Sequence, residues 1–168
     1  MNAAPFRVQL LDAGHDRAVF QSDSDALNRY FHAQVTQDIR RRVTACYVVV
    51  NEADQVAGYY TLAASSVLLN DLPADQGKRL PRYPSVPVVR LGRLAVAQRF
   101  KGQGLGGALL ADALDRAQRA EIAAYALVVD AKDESAAAFY QHHGFTPLPQ
   151  AVLTLFRAFG RQAIATRG

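Results

Sequence analysis

Gly102, Gly104 and Gly106 take alternate positions in Arg99-Phe100-Lys101-Gly102-Gln103-Gly104-Leu105-Gly106-Gly107, and no other segment narrows the possible folds as far. Before it, Val88 to Val96 reads as a strand. After it, Leu105 to Arg119 reads as a helix whose apolar stripe includes Leu105, Ala108, Leu109, Ala113, Leu114 and Ala117. Without Cβ atoms on one side of the turn, successive backbone N–H groups can converge on one point. The helix N-terminus adds its unpaired donors and its dipole. The turn therefore suits a phosphate, with Arg99 and Lys101 beside it, although on its own it is equally a plain tight turn. Two phosphate loops are excluded. A Walker loop needs Lys-Ser/Thr after its last glycine, where this chain has Gly107-Ala108. A dinucleotide fold would put the turn after the first strand, whereas here it lies past the middle of the chain.

The surrounding elements follow from spacing. Phe6 to Leu10 alternates like a first strand, and Asp23-Ser24-Asp25 offers N-caps for a helix through Ala26, Leu27, Tyr30 and Phe31 to about Gln37. Thr44 to Val50 and Val56 to Val67 form an antiparallel hairpin around Asn51 to Gln55, with Gly58 a candidate bulge. Pro73, Pro81, Pro84 and Pro87 forbid a long element between Leu72 and Pro87, leaving room for one short helix near Ala74 to Arg79. Ala124 to Val129 is an apolar strand covered on both faces. Asp133 caps a helix that runs to His143 and ends at Gly144, and Val152 to Phe159 is the last strand. The order is that of an α/β fold, with a mixed central sheet flanked by helices and a single domain over residues 1–168.

Composition removes several classes of protein. Half of the 168 residues are hydrophobic, enough for a proper core. The longest apolar run, Ile122 to Val129, is far short of the roughly 18 residues of a membrane span, so no membrane is expected. Met1-Asn2-Ala3-Ala4-Pro5-Phe6-Arg7 lacks a signal-peptide pattern, which points to the cytoplasm. The single Cys46 makes no internal disulfide, and no Cys/His cluster has metal spacing. His32 and Cys46 read as structural, and His142 and His143 as solvated.

The net charge of +4 says less than its placement. Gln76 to Ala111 holds no acid but carries Lys78, Arg79, Arg82, Arg90, Arg93, Arg99 and Lys101. After Glu134 there are only bases, among them Arg157, Arg161 and Arg167, and Arg40-Arg41-Arg42 makes a further cluster. Such segregation favours a polyanionic ligand, a phosphorylated cofactor, a nucleic acid or both, over a solvated surface whose charges are merely uneven.

Three features in order then make the chain resemble the GNAT superfamily of acetyl-CoA-dependent N-acetyltransferases. They are the strand Leu91-Gly92-Arg93-Leu94-Ala95-Val96, the loop Arg99-x-x-Gly102-x-Gly104, and the late Ala136-x-x-Phe139-Tyr140-x-x-x-Gly144-Phe145. The resemblance implies that Leu94, Ala95 and Val96 lie along the pantetheine arm as an added strand would. It implies that Arg99, Lys101, Gly102, Gln103, Gly104, Leu105 and Gly106 hold the pyrophosphate. Tyr140 would protonate the leaving thiolate as general acid. Many members carry asparagine where this chain has Asp133, so Asp133 is either a cofactor contact or only a helix cap. No metal is implied.

The acceptor can be narrowed. A lysine amine, with a pKa of about 10.4, needs help to lose its proton, and many such enzymes use a glutamate on the strand before the glycine turn. Val88 to Arg99 contains no carboxylate. An α-amine, at roughly 7.7–8.0 and lower when its carboxyl is esterified, is already partly neutral. The weakly basic amine and polyanionic body of aminoacyl-tRNA fit both the missing base and the acid-free stretch, provided no base comes from another strand. A narrower likeness agrees. Arg40-Arg41-Arg42-Val43, Gly58-Tyr59-Tyr60-Thr61-Leu62, Leu80-Pro81-Arg82-Tyr83-Pro84-x-Val86-Pro87 and Gly92 to Val96 look like TacT-type acetyltransferase toxins of bacterial toxin–antitoxin pairs. That likeness implies acetylation of the aminoacyl group of charged tRNA and a block to translation. It also implies a homodimer and an antitoxin with a ribbon-helix-helix DNA-binding part. Arg79, Arg82, Arg90 and Arg93 are the candidate tRNA contacts. A GNAT enzyme acting on a small-molecule amine or a protein N-terminus, and a non-catalytic CoA-binding subunit, stay open as alternatives.

Overall fold

A computed structural model describes residues 5–166; Met1 to Ala4, and Arg167 with Gly168, lie outside the described residues. Seven strands form one sheet in the order β1-β2-β3-β4-β5-β7-β6. Strands β1 (Phe6–Leu10), β2 (Ala45–Asn51), β3 (Val56–Leu68) and β4 (Ser85–Val96) pair antiparallel in sequence order. β5 (Ala126–Asp130) joins β4 in parallel and takes β7 (Ala151–Ala158) antiparallel on its other side. β6 (Thr146–Leu148) closes that edge. The sheet is mixed, as the strand signals imply. β6 is the strand the sequence hides, because three residues around Pro147 carry no readable alternation.

Alternation along β3 sends neighbouring side chains to opposite faces. Tyr60 joins the cluster built on Leu91, Leu105, Leu109, Leu110, Ala113 and Leu127, beneath α4 (Leu105–Arg119) and α5 (Glu134–His142). Tyr59 turns the other way, stacked on Phe31 at 4.3 Å between ring centroids, with its hydroxyl donating to the Leu27 carbonyl. That second cluster lies under α1 (Asp25–Arg29) and α2 (Val35–Arg40), which a π-helical turn over Tyr30–Gln34 connects. The spacing reads as one helix to about Gln37; the wider turn is invisible to it because the apolar side chains still recur every three or four positions. Ser24 caps α1 by accepting from Leu27 N. The short helix after Pro73 is confined to α3 (Ala74–Gly77).

In α4, Leu110 is buried in place of the expected Ala108. Ala108 falls on the solvent row with Ala111 and Asp115, whereas Leu110 shares a side with Ala113 and Ala117. β5 is buried from Ala126 to Val129, as an apolar strand covered on both faces should be.

Of the register shifts in the sheet, two lie in β2 to β4 and bear on the cleft. Val50 faces Val56 and Val49 faces Gly58, so Ala57 is the extra residue, one position from the expected bulge. Gly58 is needed for a different reason, since a Cβ there would stand 2.8 Å from the Ala95 carbonyl oxygen. On β4, Thr61 faces Arg93 and Leu62 faces Leu91, which makes Gly92 the bulged residue. The β4–β5 pairing covers only Val89 to Leu91 and stops there. From Gly92 to Val96, β4 has a partner on the β3 side alone.

Candidate active site

The parting of β4 and β5 opens a cleft at the carboxyl end of β5, where parallel strands of α/β sheets characteristically take their ligands. Three adjoining hollows fill it, all lined by Leu94 and Lys132. The largest, about 340 Å³, is bounded by Gly106, Asp133, Ser135, Ala136, Phe139 and Tyr140. A second reaches Ala95, Val96, Lys101 and Asp23. The third brings Arg93, Asp130 and Tyr140 together against Leu27. The cleft thus joins β4, the glycine turn and α5, which the sequence separates by some forty residues.

At one end, Gly102 and Gly104 adopt φ of +81° and +77°, the left-handed region that glycine enters without a Cβ penalty. Gly104 is the N-cap of α4, and no side chain caps that helix, so its first N–H groups have no side-chain acceptor. The Leu105 side chain is buried in the core, leaving only its backbone for the cleft. The Gly106 position faces the Phe139 ring, 3.6 Å from where a Cβ would sit, and this contact seats α5 against the first turn of α4. Lys101 does not stand free. Its ammonium pairs with Asp23, which also accepts from Gln98 Nε2 at 3.1 Å, and these two bonds hold the Asp23 carboxyl below its usual range. Arg99 lies over the Phe100 ring, 4.9 Å from its centroid, and Gln103 is exposed.

At the other end, Tyr140 is 6% exposed, its ring set edge-on to Phe139 at 5.3 Å and to Phe145 at 5.7 Å. Among the described residues no buried side-chain polar atom lacks a partner, and the Tyr140 hydroxyl makes no bond within the chain; it therefore opens on the cleft. Burial, with a smaller push from the Asp130 charge, raises its pKa to about 12, so the phenol keeps its proton at neutral pH. A phenol in that state is a donor. Asp133 caps α5, accepting from Ala136 N at 2.8 Å, while its residue still lines the cleft.

The arginines divide. Arg93 lies flat on the Tyr30 ring, 3.5 Å from the centroid, and lines the hollow with Tyr140. The Tyr30 hydroxyl in turn donates to Asp38 at 2.7 Å. Arg90 faces the Asp130 carboxylate at 2.6 Å and donates to Ser65 Oγ at 3.3 Å, so it is spoken for within the chain. Arg82 lines a separate hollow with Leu69, Asn70 and Lys78, and Arg79 follows α3; neither lines the cleft. Arg42 adopts φ +61°, ending the turn after α2. His143 is half-buried against Phe139 at 4.7 Å, less solvated than expected, while His142 is exposed.

Sequence reading missed Lys132 and Asp130. Both sit at the end of the apolar run Ile122 to Val129, and the rule that ligands collect at the carboxyl ends of parallel strands is the signal that finds them. Asp130 also places a carboxylate in the cleft from the neighbouring strand, so the condition that no base comes from another strand is not met. The preference for an α-amine then rests on the basic, acid-free stretch and not on a missing carboxylate. Among the described residues no group of three or more His, Cys, Asp or Glu could hold a metal ion, and no helix is long and apolar enough to cross a membrane.

Over residues 12–145 the sequence matches the family described as acetyltransferase (GNAT) family. It is 34% identical over 155 residues to the tRNA-acetylating toxin of Mycobacterium tuberculosis, an alignment covering 91% of this chain and 90% of that protein. AtaT complexed with acetyl-methionyl-tRNAfMet superposes with a TM-score of 0.84 and 32% identity, over 91% of this chain and 94% of that one. A Tyr→Phe mutant of the AtaT toxin, bound to the C-terminus of the antitoxin AtaR and acetyl-CoA, superposes with a TM-score of 0.78 and 28% identity, over 92% and 94%.

Proposed function

We propose that this chain, which belongs to the acetyltransferase (GNAT) family, transfers an acetyl group from acetyl-CoA to the α-amine of aminoacyl-tRNA and so blocks translation as a toxin. The observation that carries the reading is the cleft itself. An uncapped glycine turn stands at one end of it and a proton-bearing, unpartnered Tyr140 hydroxyl at the other.

The chain's residues divide the work between binding and proton transfer. Backbone N–H groups from Lys101 to Gly106 receive the pyrophosphate, with Arg99 adding charge. When the diphosphate arrives, Lys101 exchanges the Asp23 carboxylate for it, one charge-assisted contact for another. The free edge of β4 at Leu94, Ala95 and Val96 takes the pantetheine arm, since its backbone groups there have no strand on the β5 side. Lys132 and Asp133 border the arm. Acetyl-CoA supplies an acyl carbon activated as a thioester. Tyr140 donates its hydroxyl proton toward the departing sulfur, and the amine, which must shed one proton to form the amide, restores it. Arg93, held flat by Tyr30, and Arg79 and Arg82 on the far surface contact tRNA phosphates, while Arg90 acts through Asp130.

The chain works in the cytoplasm as a homodimer, restrained by an antitoxin with a ribbon-helix-helix DNA-binding part. The AtaT structure with the C-terminus of AtaR supports an antitoxin of some kind. The deciding experiment is transfer of labelled acetyl from acetyl-CoA into total charged tRNA, with the modified aminoacyl group identified by mass spectrometry. An N-acetylated aminoacyl end is expected. Label entering only small amines or protein N-termini, or none at all while acetyl-CoA binds, would reject the reading.

A further inference from the structure

We propose that Asp130 receives the acceptor's α-ammonium, so that the chain selects a tRNA end that still carries its free amine. The inference rests on the reading of the acceptor as aminoacyl-tRNA. Asp130 is the last residue of β5, at the point where β4 and β5 part, and it lines the hollow shared by Arg93, Lys132 and Tyr140. Among the described residues it is the one carboxylate lining that hollow. Arg93 and Lys132 make the rest of the local charge positive, which suits phosphates and repels an ammonium. A cationic amine entering there needs a carboxylate to meet it, and it releases one proton to solvent before attack, leaving the neutral amine whose next proton restores Tyr140.

The Asp130 carboxylate is built to stay in place. Its Oδ2 accepts from Arg90 Nη1 at 2.6 Å and its Oδ1 from Thr154 Oγ1 at 3.1 Å. Arg90 is itself steadied by the bond to Ser65 Oγ at 3.3 Å. An ionised carboxylate offers about four lone-pair sites, so two bonds leave about two. The side chain is 48% exposed, which keeps those sites open to the hollow. Asp130 and Tyr140 line the same hollow, so an amine on Asp130 shares it with the hydroxyl that serves the leaving sulfur. A purely structural bridge between β4 and β5 would need neither the exposure nor the place beside Tyr140.

The test compares charged tRNA, uncharged tRNA, and tRNA bearing an α-hydroxyacyl group in place of the aminoacyl group, each binding to the full chain in the presence of CoA. The wild type should hold the aminoacyl form about tenfold more tightly than either of the others, the worth of one charge-assisted hydrogen bond. Asp130→Asn should erase that preference without changing affinity for uncharged tRNA or acetyl-CoA. In turnover its KM for charged tRNA should rise about tenfold, more than kcat falls. Asp130→Glu should restore part of the preference. A variant that keeps the preference overturns the assignment. So does a wild type that binds aminoacyl and hydroxyacyl tRNA equally, a result that needs no mutant to fold. A wild type that transfers acetyl to no tRNA at all overturns the acceptor reading, and Asp130's role with it.

Discussion

The Phe145 N–H donates to the Tyr140 carbonyl at 3.1 Å, and the same two residues meet again through their rings, 5.7 Å apart. This is the closure that ends α5. Gly144 N donates to the Gln141 carbonyl at 3.0 Å, and Gly144 takes φ +90° to let the chain turn back. The residue that opens on the cleft is therefore locked by the termination of its own helix. Gly144→Val should destabilise the fold by about 1–2 kcal/mol, because a branched side chain is forced into the left-handed region. Turnover should fall further than stability alone explains, since the Tyr140 ring loses its Phe145 wall. Thermal melts and kcat measured well below the melting temperature separate the two effects.

Tyr140→Phe removes one hydroxyl and little else. On the proposed mechanism, acetyl-CoA binding persists and turnover drops by roughly 10²–10⁴, the usual worth of an acid–base group. Isothermal titration with acetyl-CoA alongside a turnover assay checks this. Unchanged turnover would mean that the sulfur takes its proton from elsewhere.

The same phenol makes a pH prediction. Its folded pKa, about 12, lies above the ordinary tyrosine value of about 10. The unfolded chain therefore loses this proton first as pH rises. The stability contributed is whole below pH about 10 and is lost as pH climbs toward 12. Tyr30, Tyr59 and Tyr60 are shifted in the same direction by burial, so the alkaline loss should be steep. Urea midpoints measured from pH 8 to 11.5 should fall above pH 10, and Tyr140→Phe should flatten part of that fall.

Much of this arrangement was legible in the sequence, and the rest was not for physical reasons. α4 runs from Leu105 to Arg119 as its spacing demands, and Asp133 and Gly144 bracket α5, because caps and periodicity are local properties. The glycine turn and Tyr140 were likewise visible as types in a pattern. What no local signal carries is the parting of β4 from β5 after Leu91, for it depends on the Gly92 bulge against Thr61 and Leu62 of another strand. Without that parting, Lys132 and Asp130 are two loop residues. Nor could spacing tell that Lys101 pairs with Asp23, 78 positions away, or that Arg90 spends its charge on Asp130.

Gly104→Val tests the phosphate end. Around Gly104 nothing within 4 Å would collide with a Cβ, so the protein itself has room. The obstacles are φ +77° and the loss of a bare surface for the diphosphate. The dissociation constant for acetyl-CoA should rise about tenfold or more, as one lost anchor of roughly 1.4 kcal/mol implies. An equal change in affinity for desulfo-CoA, which keeps the phosphates, would locate the effect there. An unaltered constant would remove the turn from the binding site.

Arg93 gives the last prediction, and salt reads it. A guanidinium stacked flat on Tyr30 at 3.5 Å has its rim of donors directed around the ring rather than into it, and it has no carboxylate partner among the ion pairs of the described residues. That leaves it ready for a phosphate. Binding of charged tRNA should weaken with salt along a log–log slope of about −0.7 to −0.9 per phosphate contact. Arg93→Ala should lower affinity at low salt and make the slope shallower by about one contact. Tyr30→Leu, which leaves the charge but removes its platform, should lower affinity while keeping the slope. A slope unmoved by Arg93→Ala would place the tRNA phosphates on another part of the surface.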